Sequence, residues 1–390
     1  MLSERILRMN SRERVVTSLN HKEPDMVPLD IGGGTSTTIV VEGYEKLKKY
    51  LNIEEETEFM NKIFRLTKIS EAVRKKLESD CYPIGIKPAR NWKPIQSEPG
   101  TLVDIWGVKW KEVYYAKGSC KYYEMNNNPL RDATIEDLSN YNWPDPYDPG
   151  YTQGLTEEIE NIYNNTNYAL VGDVGFKSFW ELGYMLRGFN ELLMDLAINK
   201  KFVTALMNKL YEINIIVTGR YLDIVGDYIQ VFRTADDLAS QTGLLFSIDT
   251  YRQLLKPFYK KFIEFVKSKT RAKIFYHSCG NVKELFNDFI EIGIDIINPV
   301  QVSALGDMVE IKKKYGRNLA FWGGIDTQKI LPWGSISEVE NEVSKRIKEL
   351  GSSGGYVIAS VHNIQPDVPP ENIVAMASAA KKFGMYPINL

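Results

Sequence analysis

The sequence predicts an α/β chain whose strands close into one parallel (β/α)8 barrel. Eight short runs rich in Val, Ile, Tyr and Phe alternate with longer stretches of helical period, and no glycine-rich phosphate loop of a dinucleotide fold accompanies them. The runs are 27–31, 82–86, 168–173, 228–233, 272–276, 295–298, 319–322 and 356–360. Their count favours a closed barrel over an open sheet. Between them, Lys200–Val225 sets Phe202, Leu206, Leu210, Ile213 and Val217 on one stripe, and Ser247 is read as the cap of a helix carrying Leu254, Phe258, Phe262 and Val266. Stretches 282–292, 309–315, 338–350 and 372–383 continue the alternation, with Gly293, Gly316, Gly351 and Gly384 at or just past their ends. Without a low-complexity tract, a flexible linker or an internal repeat, residues 1–390 read as a single barrel domain.

One segment breaks the alternation. Residues 87–150 carry Trp92, Trp106, Trp110, Tyr114, Tyr115, Tyr122, Tyr123 and Trp143, with alternating stretches such as DIWGVKWKEVYY. The reading is an aromatic-rich β-hairpin insertion after the second strand, folded over the barrel mouth either as a packed lid or as a wall of a substrate pocket.

Composition narrows the function classes. Lys and Arg number 48 against 50 Asp and Glu, a net charge of −2 with no block of one sign, so a nucleic-acid partner is not indicated. Hydrophobic runs such as 213–217 are far too short to cross a bilayer and the amino terminus is charged rather than signal-like, so the expectation is a soluble, cytoplasmic protein with no membrane partner. Three cysteines, Cys81, Cys120 and Cys279, are too few for a disulfide framework in a chain of 390 residues. The abundant aromatic residues are compatible with a homodimer that buries some of them.

Histidine is scarcer than usual for this length: only His21, His277 and His362 occur, and the last two follow predicted strands. In a parallel barrel the working residues lie in the loops at the carboxyl ends of the strands. Listing those loops is therefore a prediction of the active site. After the first strand come Gly32, Gly33 and Gly34; after the third, Asp173 and Gly175; after the fourth, Thr234, Asp236 and Asp237; after the fifth, His277, Ser278, Cys279 and Gly280. The rest are Asn298 to Gln301, then Gly323, Gly324, Ile325 and Asp326, then His362 and Asn363.

His277 and Cys279 are two residues apart, so in extended backbone both side chains point the same way. Imidazole and thiolate so placed are natural zinc ligands, and three protein ligands with one open position make a catalytic rather than a structural site. The third ligand is open among His362, Asp236, Asp237 and Gln301. Against this reading, Cys279 is also a candidate small buried hydrophobe, or a nucleophile with His277 or His362 as its base. His362 has a competing role in substrate binding or general acid chemistry. Asp236 and Asp237, in TADDLASQTG, are candidates for a metal ligand, a partner that orients a histidine, a general acid, or simple helix capping. Gly323, Gly324 and Asp326 form a candidate cofactor-binding turn where a bulky ligand approaches backbone, unless the glycines serve the turn alone. His21 reads as structural, and Cys81 and Cys120 show no ligand spacing to anything.

Taken together, NSRERVVTSLNHKEPDMVPLD, TADDLASQTG, YHSCGNV, INPVQ, FWGGID and VHNIQPDVPPENI resemble the uroporphyrinogen decarboxylase superfamily over nearly the whole chain, and more closely its cobalamin-linked, zinc-dependent methyltransferase branch. The resemblance implies a TIM barrel. The decarboxylases carry an arginine-rich motif after the first strand, where this chain reads DIGGGTSTT without arginine. The methyltransferases hold zinc with a His-x-Cys pair and a later cysteine; His277 and Cys279 match the pair, and the later position falls on His362. Corrinoid carriers present an Asp-x-His-x-x-Gly pattern that none of the three histidines fits, so the resemblance implies cobalamin supplied by a partner corrinoid protein. The function this implies is zinc-dependent methyl transfer between that partner and a small methyl donor, such as an aromatic methyl ether or other O-methyl compound, or a thiol acceptor. The alternatives are a metal-free lyase or decarboxylase acting on a small carboxylic acid through Asp236, Asp237 and His362, and a non-catalytic binding protein.

Overall fold

The computed structural model describes residues 8–96, 98–115, 120–175 and 179–388. Its centre is a seven-stranded parallel sheet of β1 (Cys81–Gly85), β2 (Ala169–Asp173), β3 (Val231–Ala235), β4 (Lys273–His277), β5 (Ile296–Asn298), β6 (Ala320–Ile325) and β7 (Tyr356–Ser360). Each strand pairs with the next in chain order, as short strands joined by crossover helices do. The eighth stave is the extended segment 27–31. On one side it bonds β7 through Asp30 N to Ile358 O and Ile358 N to Pro28 O, both 2.8 Å. On the β1 side Asp80 N reaches Leu29 O at 2.8 Å, and two side chains complete the seam: Leu29 N donates to the Asp80 carboxylate and Ile31 N to Ser79 Oγ, each at 2.9 Å. Pro28 has no N–H to give to a ladder, so this stave is a bridged segment rather than a regular strand.

Asp80 is itself fixed from below. Arg14 Nη1 approaches its Oδ1 at 2.6 Å while Arg14 Nε bonds Asp25 at 2.8 Å, and all three groups are buried. The pair geometry satisfies both carboxylates, so removing Arg14 would leave two buried charges without their partner. Arg14 lies on helix Ser11–Leu19, whose Val15 and Leu19 pack into the cluster that fills the barrel. Inside, residues alternate along each strand: Ala169 and Val171, Val231, Phe275, Ile296, Ala320 and Trp322, Val357 and Ala359. Trp322 is fully buried with its indole N–H on Asp30 at 2.9 Å and its ring edge-on to Phe275 at 5.3 Å. The intervening residues, Leu170, Phe232, Ile274, Ile297, Phe321 and Ile358, face the surrounding helices.

Helix Lys200–Val225 has the expected bounds. Ser247 caps as expected, its side chain accepting from Thr250 N, but the helix it starts passes through a π turn at Tyr251–Leu255 before Lys256–Lys269. Pro257, at the start of that last piece, cannot donate to the preceding turn, and the wider turn absorbs the mismatch. Two strands differ from expectation by more than one residue at an end. The stave expected at 228–233 runs over Val231–Ala235, and β6 continues through Gly323 and Gly324, which pair with Ile358 and Ala359.

Between β1 and β2 lies a three-stranded antiparallel sheet, Thr101–Val103, Lys109–Tyr115 and Cys120–Asn127, with Lys109–Tyr115 in the middle, one strand more than a hairpin. Its aromatic residues divide. Trp106 and Trp110 are buried, the Trp110 indole donating to Asp104 at 2.8 Å, whereas Tyr122 and Tyr123 turn toward the barrel mouth. A small ribbon, Phe59–Asn61 with Leu66–Thr67, also reaches that mouth. Among the described residues no helix is long and apolar enough to cross a membrane.

Candidate active site

Three neighbouring strands each carry an inward-facing polar residue toward the carboxyl end: Asp173 on β2, Arg233 on β3 and His277 on β4. They continue the interior rows of Val171, Val231 and Phe275 by one more alternation. This is the carboxyl end of the barrel, where a cavity of about 320 Å³ opens, lined among others by Arg233, Asp237, His277, His362, Tyr122 and Tyr123.

His277 is buried, and its Nδ1–H donates to Asn298 Oδ1, the residue beside it in register on β5. The Asn298 amide cannot turn over, because its Nδ2 donates to Trp322 O at 2.9 Å. The imidazole therefore carries its proton on Nδ1 and aims the Nε2 lone pair into the cavity. There Cys279 Sγ lies 3.5 Å away and Asp237 Oδ1 3.8 Å away. The ligand atoms of Asp237, His277 and Cys279 all fall within 4.8 Å of one another. Two donors about 2.0–2.3 Å from a tetrahedral zinc sit about 3.3–3.8 Å apart, so both partners of His277 Nε2 stand at ligand spacing from it, and nitrogen, sulfur and oxygen form a donor set that zinc accepts. Burial, with smaller contributions from Arg233 and His362, pulls the His277 pKa down to about 4 against the opposing pull of Asp237 and Asn298. The ring is thus neutral at physiological pH, the form that coordinates metal.

The loop behind these residues is tied at every amide. Ser278 N bonds Asn298 O at 2.9 Å, Cys279 N bonds Asp237 Oδ1 at 2.7 Å, and Gly280 N bonds Gln301 Oε1 at 2.9 Å. Gly280 has φ of +83°, and a Cβ there would meet Ser240 O at 2.4 Å, so only glycine lets the chain turn this close to the next loop. Gln301 is an anchor of this loop: its Nε2 donates to Gln241 at 2.8 Å.

The other residues named from sequence separate into different places. His362 lies in the same cavity with its ring centroid 6.3 Å from that of His277, but outside the compact ligand group. Asp236, adjacent to Asp237, points the opposite way and is fully buried. Its carboxylate accepts from Phe179 N, Trp180 N and Glu181 N at 2.7, 3.0 and 2.8 Å, and from Tyr259 Oη at 2.5 Å. It caps helix Trp180–Arg187 from a neighbouring strand end. Burial and the nearby Glu181 push its pKa up to about 7, against four donors that favour the ionised form. Gly323, with φ of +128°, packs where a Cβ would stand 2.0 Å from Pro299 O, and Gly324 N bonds that oxygen at 3.0 Å. Asp326 accepts from Gln328, Lys329 and Ile330 amides at 2.6–3.1 Å. The two glycines let backbone pack on backbone, Asp326 caps the turn that follows with its carboxylate, and none of the three lines the cavity.

Arg233 was not singled out from the sequence, yet it is the cation set among the inward-facing strand residues of the cavity, whose lining also includes Arg65 and Lys121. Its Nη1 lies 3.3 Å from Asp173, its Nε donates to Ser36 Oγ at 2.8 Å, and Thr35 Oγ1 donates to Asp173 at 2.6 Å. The signal for it was available: Arg233 shares the inward face with Val231. The orienting role of Asn298 had no such signal, because it depends on register between two strands.

Fold and site together define a TIM-barrel protein with a metal-capable cluster at the carboxyl ends of its strands. The chain belongs to the uroporphyrinogen decarboxylase (URO-D) family, whose model matches residues 118–383. Among curated proteins it is 21% identical over 243 residues to a uroporphyrinogen decarboxylase of Francisella philomiragia, covering 58% of this chain and 66% of that one. A uroporphyrinogen decarboxylase of Francisella tularensis subsp. novicida is 23% identical over 233 residues, with 58% and 63% covered. The match therefore spans less than two thirds of these relatives. Among solved structures, a methyltransferase from Methanosarcina mazei superposes with a TM-score of 0.63 at 17% identity, covering 96% of this chain and 99% of that one, which establishes the shared fold.

Proposed function

We propose that this member of the family is a zinc-dependent methyltransferase that moves a methyl group between a small substrate and a corrinoid carried by a separate protein docking at the barrel mouth. The observation that carries the reading is the convergence of Asp237, His277 and Cys279 on one point of the cavity. Full-length similarity to a methyltransferase supports it, as does a segment 30–38 without arginine. In this reading Asp237, His277 and Cys279 hold the metal, Asn298 fixes the imidazole, Gln301 anchors the loop, and Tyr122 and Tyr123 wall the cavity from solvent. Bound zinc would supply Lewis-acid stabilisation of the negative charge that grows on the substrate heteroatom. His362, facing the same cavity, is assigned to substrate binding or proton delivery rather than to the metal.

The test is elemental analysis of the chain purified without chelator, together with chelator-reversible methyl transfer to cob(I)alamin. Stoichiometric zinc in the native chain and its loss in Cys279→Ser are expected. A metal-free native chain, or zinc retained after that substitution, overturns the reading. Asn298→Leu, which keeps the volume and removes the acceptor, is expected to weaken zinc binding by roughly 10–100-fold, measured by competition with a chromophoric chelator.

A second reading, a metal-free decarboxylase, is favoured by the names of the sequence relatives and by Arg233 as a cation for a carboxylate substrate. Zinc-independent decarboxylation by the purified chain would select it.

A further inference from the structure

Beside the metal-side cavity lies a second one of about 430 Å³, and the two share Thr35 and Gly175 as walls. Its lining differs in kind. Met60, Ile86, Trp92 and Ile105 make it largely apolar, and Lys68 and Lys87 stand in its wall. Both ammonium groups converge on one carboxylate, Glu158: Lys87 in a direct ion pair and Lys68 at 3.8 Å. The other acid near Lys68 is Glu58, also at 3.8 Å but 73% exposed, where solvent screens the pair and leaves it worth little. Asp173, also in the wall, is matched by Arg233. Burial opposes the charge on Lys68, but the Tyr82 hydroxyl, Glu158 and Glu58 more than offset this and hold its pKa above the ordinary value.

A largely apolar cavity roomy enough for a substituted ring, with two cations sharing one half-buried anion, complements a ligand with a hydrophobic body and an anionic end. We propose that this second cavity binds an aromatic carboxylate, its ring among Met60, Ile86, Trp92 and Ile105 and its carboxylate on Lys68 and Lys87. The far end of such a molecule points past Thr35 toward Asp237, His277 and Cys279. The cavity is then the recognition end of the substrate site, and this last step rests on the methyltransferase reading.

The experiment is calorimetric titration of the full chain, with and without zinc, using 4-methoxybenzoate and its neutral analogue 4-methoxybenzyl alcohol. Saturable binding of the carboxylate is expected, weakened about tenfold in Lys87→Met and in Lys68→Met, the loss of one charge-assisted hydrogen bond. Trp92→Ala is expected to weaken both probes, and neither lysine change should alter binding of the alcohol. Equal carboxylate affinity in the native chain and both lysine variants, or no saturable carboxylate binding, overturns the proposal. Zinc content read on the same samples separates the two ideas. Lysine-dependent binding to a chain that takes up no zinc overturns only the metal reading, and lysine-independent binding to a zinc-loaded chain overturns only this one.

Discussion

Asp237→Ala is expected to empty the metal centre, while His362→Gln leaves it filled. The contrast follows from distance. Asp237 Oδ1 lies 3.8 Å from His277 Nε2 and belongs to the group whose ligand atoms are mutually within 4.8 Å, whereas the His362 ring is centred 6.3 Å from that of His277. Removing Asp237 deletes one donor and also the acceptor that holds Cys279 N at 2.7 Å, so the loop carrying the sulfur loosens at the same time. The fall in zinc affinity should therefore exceed the roughly 100-fold that loss of an outer partner can cost. His362→Gln should instead change KM or the pH dependence of turnover at unchanged zinc content. Metal analysis of both variants decides the matter: zinc lost from His362→Gln and kept by Asp237→Ala would reverse the ligand assignment.

Asp236→Ala is expected to be among the most destabilising single changes at the carboxyl end of the barrel. It leaves three amides at the start of helix Trp180–Arg187 and the Tyr259 hydroxyl without an acceptor, all in a fully buried setting. Leaving buried donors unsatisfied costs about 1–3 kcal/mol each, and partial relaxation brings the whole to about 4 kcal/mol. Asp236→Asn, which keeps the shape and one good acceptor, should lose about half of that. Urea unfolding measures both. Because Asp236 faces away from the cavity, the folded fraction of Asp236→Asn should bind zinc and turn over normally. Loss of turnover in well-folded Asp236→Asn would restore this carboxylate to the chemistry.

Neighbouring residues in one motif, Asp236 and Asp237, thus have opposite fates, and this marks where reading the chain stops. In TADDLASQTG both aspartates are equivalent by type and position. Which one meets the ligand pair depends on how β3 ends against β4, where Asp236 N bonds His277 O at 3.0 Å and turns one carboxylate inward and the other toward the helix. Likewise His362 reads as a plausible third ligand, because it too follows a strand end, and only the closed ring leaves it outside the compact group.

Alternation of strand and helix, the helix stripe of Lys200–Val225 and the paired orientation of His277 and Cys279 are local matters. They follow from the periods of backbone geometry, two for strands and 3.6 for helices, and so are legible in the chain. The inward place of Arg233 belongs with them. The side-chain seam that replaces a ladder at 27–31, the Asn298 contact that sets the His277 proton, and the second chamber behind Thr35 are not local. Each joins residues tens to hundreds of positions apart, and the contact exists only once strand register and barrel closure have brought them together.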